Sequence, residues 1–280
     1  MAHDKKLKIA YQGVPGAFSQ EAAQNFAPDG ETQGFPSFEE AFTAAATGEC
    51  THVCLPVENS LAGSINQTYD LLTNSVLNVV SEQIVHVHHN LLALPGTKIE
   101  DITRVYSHTQ ALQQSQEFIR KHGFEAVTEF DTAGSAKLLS ENGGAGHAAI
   151  ASKRAAQEYG LDILAENIED LSFNYTRFFV LGTEEAAPTG KDKSSLVLAT
   201  RHRPGDLVAC LQEFTERDIN LTKLESRPRR DQPWSYLFYI DLEGHIQNDN
   251  VALALTALMR KAAFVKFLGS YPAARTKAVN

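Results

Sequence analysis

The sequence predicts an α/β protein in two parts. A larger region of about 185 residues carries parallel sheets, and a smaller α+β unit follows in ferredoxin-like order. Three observations lead there. Apolar strand-like runs alternate with helical patterns along the first part, the arrangement of parallel sheets covered by helices on both faces. A stretch bearing Gly, Pro and charge, "GTEEAAPTGKDKSS", then interrupts the alternation. Beyond it the order becomes strand, helix, strand, strand, helix, strand within about 80 residues.

Taken in order, "LKIAYQG" reads as a strand, the turn "GVPG" follows, and "FSQEAAQNFA" reads as a helix. "FEEAFTAAATG" is helical, "THVCLPVEN" a strand ending in a loop, and "SINQTYDLLTN" helical again. "SEQIVHVHHNLLAL" reads as one long strand, "TRVYSH" as a short one, and "TQALQQSQEFIRKHG" as one helix. "EAVTEF", "TAGSAKLLSENGG", "HAAIAS" and "KRAAQEYG" continue the alternation, and "NYTRFFVL" closes it with a strand. After the interruption, "SLVLAT", "INLTKLESRP", "WSYLFYIDLEG" and "FVKFLGSY" are strands, with "GDLVACLQEFTERD" and "NVALALTALMRKA" as the two helices. The polar clusters "GVPGAFS", "PVENSLAGS", "YSHTQA" and "DTAGS" each sit where a strand pattern stops and a helix pattern starts. In open α/β sheets that is where ligands bind. The first two fall in one half of the region and the last two in the other, so two lobes with a polar cleft between them are expected.

The 280 residues are 43% hydrophobic and 21% charged, a globular composition. The formal charge of −9, with no basic cluster, argues against nucleic acid or an anionic membrane as partner. No run reaches the ~18 apolar residues of a membrane span, and the N-terminal "MAHDKKLKIAYQG" lacks the apolar length of a signal peptide. Three cysteines make a disulfide framework unexpected, and a cytoplasmic protein is expected.

Chemistry-bearing residues gather in the polar clusters. In "GVPGAFS", Gly16 and Ser19 can supply backbone N–H groups and a hydroxyl to an anion at a helix start, or simply a tight turn with a helix cap. In "PVENSLAGS", Glu58, Asn59 and Ser60 bring a carboxylate, an amide and a hydroxyl together, with Glu58 suited to general acid work if buried. "YSHTQAL" offers Ser107, His108 and Gln110 as hydrogen-bonding groups, without the GxSxG turn of a hydrolase nucleophile. "CTHVC" and "HVHH" invite a metal, but no CxxC pair or HExxH accompanies them, and none is expected. In "NYTRF", Thr176 can donate a hydrogen bond and Arg177 can grip a carboxylate. Strand alternation puts Thr176 and Phe178 on one side and Arg177 and Phe179 on the other, unless a bulge intervenes.

In this order, "YQGVPGAFS", "PVENSLAGS", "YSHTQAL", "DTAGSA", "AAIAS" with "AAQEYGLDIL", and "NYTRF" resemble the prephenate dehydratase family in its bacterial two-domain form, over nearly the whole chain. "NLTKLESRP" and "YLFYIDLEGH" look like an ACT regulatory domain. The resemblance implies a two-lobed catalytic domain like a type II periplasmic-binding protein over residues 1–183. Lobe 1 would span about 7–80 and 168–183, and lobe 2 about 81–167. A linker at 184–193 and an ACT domain at 194–274 would follow.

The resemblance makes Thr176 the essential threonine, and chemistry suggests Glu58 as proton source. Arg177, Asn59, Ser60, Ser107, Gln110, Phe178, Ser19 and Gly16 are the expected substrate-binding residues. The ACT resemblance implies phenylalanine binding by Gly205, Leu207, Val208, Asn220, Leu221, Glu225, Ser226 and Arg227, between paired domains of a dimer or tetramer. Thr109 stands where the family often has Pro, and Asp206 where it has Ala, which puts a charge beside the expected effector pocket. The implied reaction is loss of CO2 and water from prephenate to give phenylpyruvate, without cofactor. Arogenate as substrate, and a carboxylate or amino-acid sensor without chemistry, are the alternatives.

Overall fold

The computed structural model describes residues 6–229 and 235–274. The first five residues, part of the stretch read above for a leader, and Trp234, with which a C-terminal strand is expected to open, lie outside them. The chain begins with β1 (Lys8–Gln12), α1 (Phe18–Phe26), β2 (Glu31–Phe35), α2 (Phe38–Ala46), β3 (His52–Asn59), β4 (Gly63–Ser64), α3 (Asn66–Thr73) and β5 (Asn78–His86). It continues through β6 (Asn90–Ala93), β7 (Arg104–His108), α4 (Thr109–Gln114), α5 (Gln116–His122), β8 (Glu125–Glu129), α6 (Thr132–Asn142), β9 (His147–Ala151), α7 (Lys153–Tyr159) and β10 (Asp162–Ala165). Then come β11 (Tyr175–Gly182), β12 (Asp192–Ala199), α8 (Asp206–Thr215), β13 (Leu221–Pro228), β14 (Tyr236–Glu243), α9 (Asp249–Lys261) and β15 (Phe264–Pro272). Among the described residues no helix is long and apolar enough to cross a membrane.

The strands form three sheets, ordered β2-β1-β3-β11-β5 with β4 on β3, β10-β6-β9-β7-β8, and β13-β14-β12-β15. Two compact units divide the chain. One holds the chain up to Thr68 together with Gln83–Phe178, the other Tyr69–Glu82 together with the chain from Phe179 on.

The first unit contains the two expected lobes. In lobe 1, β1 runs parallel to both β2 and β3. Ile9, Ala10, Val53, Cys54 and Leu55 are fully buried, as continuous apolar runs of a sheet covered on both faces should be. In lobe 2, β7 runs parallel to β8 and β9, and β6 runs antiparallel to β9 and β10. The short polar β2, "ETQGF", and the four-residue β10 are strands that periodicity does not announce.

The long strand expected across residues 81–94 is broken at Val87–His89, where the chain passes from lobe 1 to lobe 2. The returning segment supplies the cause. Val87 N–H donates to Asn174 O at 2.7 Å, Ile168 N–H to His89 O at 2.9 Å, and His89 N–H to Glu169 Oε2 at 2.9 Å. Two crossing segments thus lie side by side as a hinge. Partial burial pushes the Glu169 carboxyl up, but the His89 N–H and the His88 ring, 2.7 Å away, hold it below the usual range. The single helix expected over residues 109–123 is likewise two. Asp170, from the returning segment, accepts the Gln116 and Glu117 N–H groups at 3.1 Å each and so starts α5 as a separate helix.

Away from the hinge the lobes also touch. Ser152 Oγ donates to Gly16 O at 2.7 Å, Tyr159 OH to Pro15 O at 2.8 Å, and Arg154 Nε to Gln20 Oε1 at 3.1 Å. Gly16 has φ +87°, and a Cβ there would lie 2.7 Å from Ala155 Cα. Glycine is what allows the two backbones to approach.

In the second unit β12, α8, β13, β14, α9 and β15 give the ferredoxin-like order, with an antiparallel sheet. Leu196, Leu198, Ile240 and Leu242 pack against Cys210 and Phe214 of α8 and Leu255 and Leu258 of α9. Tyr69–Glu82, read from the sequence as part of lobe 1, groups with this unit because its polar contacts lie there. Lys266 Nζ donates to the Thr73 and Ser75 carbonyls at 3.0 and 2.6 Å. Arg227 pairs with Asp70 at 2.9 Å. Gly269, at φ +144°, lets β15 run so close to Val79 that a Cβ would fall 2.3 Å from its carbonyl oxygen. Glu82, 2% exposed, receives Lys193 Nζ at 2.9 Å and the Ala274 N–H at 2.8 Å.

Two outcomes follow for equilibrium unfolding. Lys193→Met removes the ammonium from a buried carboxylate and is expected to destabilise by about 3 kcal/mol. Gly16→Ala meets both a positive φ and the Ala155 backbone and is expected to cost about 1–3 kcal/mol. Urea midpoints equal to the parent's would contradict these placements.

Candidate active site

The end of β3 and the start of β11 lie next to each other in lobe 1, and the functional side chains are set by that adjacency. Ser60 N–H donates to Tyr175 O at 2.8 Å, and Ser60 Oγ both donates to Phe173 O at 2.8 Å and accepts the Tyr175 N–H at 2.9 Å. Ser60 therefore fastens the loop that leads into "NYTRF". Asn59, 6% exposed, uses its whole amide. Its Oδ1 accepts the backbone N–H groups of Leu61 and Ala62 at 3.0 and 2.9 Å. Its Nδ2 donates to Asn174 Oδ1 at 2.8 Å, Thr176 Oγ1 at 3.0 Å and Tyr175 O at 3.2 Å. Gln110 Nε2, from lobe 2, lies 3.5 Å from Asn59 Oδ1.

Alternation along both strands separates the polar residues into two pairs. Asn59 meets Thr176, and Glu58 meets Arg177, with 3.8 Å between Oε2 and Nη1. Thr176 and Arg177 thus point to opposite faces, as a regular strand requires. Glu58 was expected as a proton source inside a closed cleft, but its side chain is 37% exposed and faces a guanidinium. Arg177 is held beside that carboxylate, away from the Thr176 hydroxyl.

Other expected substrate contacts are placed in the core. Ser107 is fully buried and its hydroxyl donates to Ile150 O at 2.6 Å, across the β7–β9 pair. Phe178, 2% exposed, faces the interior because it is one strand period beyond Thr176. Gly16 N–H is already taken by Gln20 Oε1 at 2.8 Å, so that amide has a partner within the protein. Ser19 is nearly buried inside the first turn of α1, whose N-cap is Ala17, so it is not the cap.

Three residues absent from the expected set, Gln114, Asn174 and His89, join the network. Gln114 Oε1 accepts from Asn174 Nδ2 at 2.9 Å and lies 2.9 Å from His89 Nε2. Asn174 stands in the conspicuous "NYTRF" stretch, but nothing in the pattern of residues 109–123 marks Gln114. Burial pushes the His89 imidazole down, while its bond to Gln114 pulls the other way.

Two cavities lie between the lobes. One, of about 280 Å3, is lined by Leu61 and Ala62 from lobe 1 and Gln110, Gln113 and Gln114 from lobe 2. The other, of about 570 Å3, includes Gln12, Ser37, Gln67, His108 and Asp131 at the carboxyl ends of strands from both lobes. Its walls include the starts of α2 and α6, where Ser37 Oγ accepts the Glu40 N–H and the Asp131 carboxylate accepts the Gly134 N–H. Among the described residues, no group of three His, Cys, Asp or Glu side chains could hold a metal. Cys50 and Cys54 are buried in lobe 1, and His86 stacks on the Tyr175 ring at 4.3 Å.

The expected effector residues lie in the second unit. Gly205, at φ +84°, caps α8, with Leu207 half-buried and Val208 exposed. Asn220 and Ser226 are exposed, and Leu221 packs against the unit's core. Glu225 lies 3.9 Å from Lys223, and Arg227 holds Asp70. The Asp206 carboxylate is met by the Arg203 guanidinium at 3.3 Å and accepts the Arg203 N–H at 3.1 Å. A cavity of about 480 Å3 in this unit is lined by Asp70, Thr73, Arg227, Arg229, Tyr239 and Phe264, among others.

The family model for prephenate dehydratase matches residues 9–186. A bifunctional chorismate mutase/prephenate dehydratase of Neisseria gonorrhoeae is 40% identical over 277 residues, 98% of this chain and 76% of that protein. The chloroplastic arogenate dehydratase/prephenate dehydratase 1 of Arabidopsis thaliana is 42% identical over 285 residues, 96% of this chain and 73% of that protein. Among solved structures, prephenate dehydratase of Arthrobacter aurescens in complex with L-Phe superposes with a TM-score of 0.87 at 31% identity, covering 95% of this chain and 90% of that one. GqqA, described as a novel type of quorum quenching acylase, gives 0.88 at 34% identity, covering 95% and 98%. With a family model over most of the chain and relatives at this identity along nearly all of it, the chain belongs to the prephenate dehydratase family.

Proposed function

We propose that this chain is a lyase that converts prephenate to phenylpyruvate, with the Thr176 hydroxyl as the hydrogen-bond donor to the departing oxygen. The observation that carries the reading is the Asn59–Thr176 bond. Asn59 Nδ2 donates to Thr176 Oγ1, so the threonine proton is turned elsewhere. Among the described residues that proton meets no acceptor.

The C–O bond of the ring alcohol breaks as the ring carboxylate leaves as CO2. Its electron pair flows into the ring, which becomes aromatic, and the hydroxide takes a proton to leave as water. Charge develops on the departing oxygen, and a fixed donor there stabilises the transition state more than the ground state. Thr176 only steadies that charge. The proton consumed comes from solvent reaching the cleft. No Lys or Arg is among the lining residues of the larger interlobe cavity, and Arg177, beside Glu58, is kept as the proposed carboxylate clamp.

The second unit is read as an ACT domain that binds L-phenylalanine and pairs with a second copy. Its ferredoxin-like order supports this, as does the Arthrobacter aurescens relative in complex with L-Phe. The Arg203–Asp206 pair offsets the charge that Asp206 brings beside the expected pocket. Arogenate is a second candidate substrate, because the Arabidopsis thaliana relative is named for both activities.

The test is phenylpyruvate formation from prephenate, with arogenate run beside it. Thr176→Ala is expected to lower kcat by about 100- to 1000-fold. Millimolar phenylalanine is expected to reduce parent turnover. Parent-like kcat in Thr176→Ala would contradict the role of the hydroxyl, and indifference to phenylalanine would contradict the regulatory reading alone.

A further inference from the structure

The direction of every hydrogen bond in the Asn59 network can be fixed from one end. Asn59 Oδ1 receives the Leu61 and Ala62 backbone N–H groups, which can only donate. The atom Asn59 turns toward Asn174 is therefore Nδ2, and the Asn174 atom 2.8 Å away is its oxygen. Asn174 Nδ2 then faces Gln114 at 2.9 Å, so the receiving Gln114 atom is Oε1. The same oxygen lies 2.9 Å from His89 Nε2, so that nitrogen must carry a hydrogen. The order runs from two backbone amides in lobe 1 to a histidine at the hinge, with no free choice between them.

We propose that Asn174 and His89 are positioning residues for Thr176: through Gln114, they keep the Asn59 amide, whose flip state the Leu61 and Ala62 N–H groups set, in place against the threonine oxygen and so leave the threonine proton for the substrate. The inference rests on the reading of Thr176 as donor and extends it from the site to the hinge.

The surroundings of His89 support a single state of the ring. It is 2% exposed, and its Nδ1 is buried without a partner among the described residues. Protonating Nδ1 would bury an unsatisfied donor on a charged ring. Moving the hydrogen from Nε2 to Nδ1 would set a lone pair against Gln114 Oε1. The neutral ring with hydrogen on Nε2 avoids both, and burial pushes the imidazole in that direction. The residue is also held in place, with its N–H on Glu169, its carbonyl receiving Ile168, and the Phe18 ring edge-on at 6.2 Å. Asn59 belongs to lobe 1, Gln114 to lobe 2, and His89 and Asn174 to the two crossing segments. The threonine's orientation is thereby tied to the relative placement of all four.

Two measurements test this. Nitrogen-15 NMR of the histidines in the whole protein is expected to show His89 neutral, with hydrogen on Nε2 at neutral pH. A charged ring or the opposite tautomer would overturn the proposal without reference to activity. In kinetics, Asn174→Leu and His89→Leu are expected to lower kcat about 10- to 100-fold with KM little changed. His89→Gln, which can still present an N–H to Gln114, is expected to recover most of that loss. Placed in the Thr176→Ala background, Asn174→Leu is expected to produce no further fall in the residual kcat. A further fall of the same size there would show that Asn174 only maintains structure, and would overturn the proposal. If Asn174→Leu does not fold, Asn174→Ala, which removes the acceptor for Asn59 without adding bulk, replaces it under the same criterion. Parent-like kcat in Thr176→Ala alone would instead defeat the function reading, and the two failures are distinguishable.

Discussion

The amide of Asn59 is the interaction on which the site depends. Its oxygen is held by two backbone N–H groups of its own loop, so its nitrogen has one orientation available. That nitrogen ties the end of β3 to the start of β11 through Asn174, Tyr175 and Thr176. Remove the loop amides and the side chain could flip, and the threonine could then donate to it. The direction of the Thr176 hydroxyl is thus a consequence of a turn two and three residues after a strand end. Ser60 adds a second lock on the same junction, by gripping both Phe173 O and the Tyr175 N–H.

An overall acidic charge does not exclude an anionic ligand, because local fields outweigh net charge at short range. The larger interlobe cavity is lined by neutral polar groups together with His108 and Asp131. The one Arg of the "NYTRF" stretch is instead partnered with Glu58 across the strand pair.

Much of the fold was legible in the sequence, and the failures share one cause. Helices with local caps, such as α2 with Ser37 and α7 with Ser152, fall where the pattern puts them. The breaks at Val87–His89 and Ser115 do not, because each is imposed by the segment 166–175, some fifty residues or more further along the chain. Periodicity reads neighbours in sequence and is blind to a distant Asp170 that starts a helix. Likewise Thr176 and Asn59 stood out as polar residues beside apolar runs, whereas Gln114 looked like any surface glutamine. Ser107 and Phe178 were legible as residues of strands β7 and β11, but that both side chains are buried is settled only by tertiary packing. The grouping of residues 69–82 with the C-terminal unit was invisible for the same reason: its partners, Lys193, Arg227, Lys266 and Gly269, all lie more than a hundred residues away.

The most direct measurement is the turnover of Asn59→Asp with prephenate, together with the dissociation constant of substrate from the same protein. The aspartate keeps the shape of the side chain and an oxygen for the Leu61 and Ala62 amides, but replaces the donor to Thr176 with an acceptor. The threonine proton would then turn back toward the carboxylate. The expected result is a kcat reduced nearly as far as by removing the Thr176 hydroxyl, with substrate still bound. A kcat close to the parent's would contradict the claim that the Asn59 donor sets the direction of the catalytic hydrogen bond.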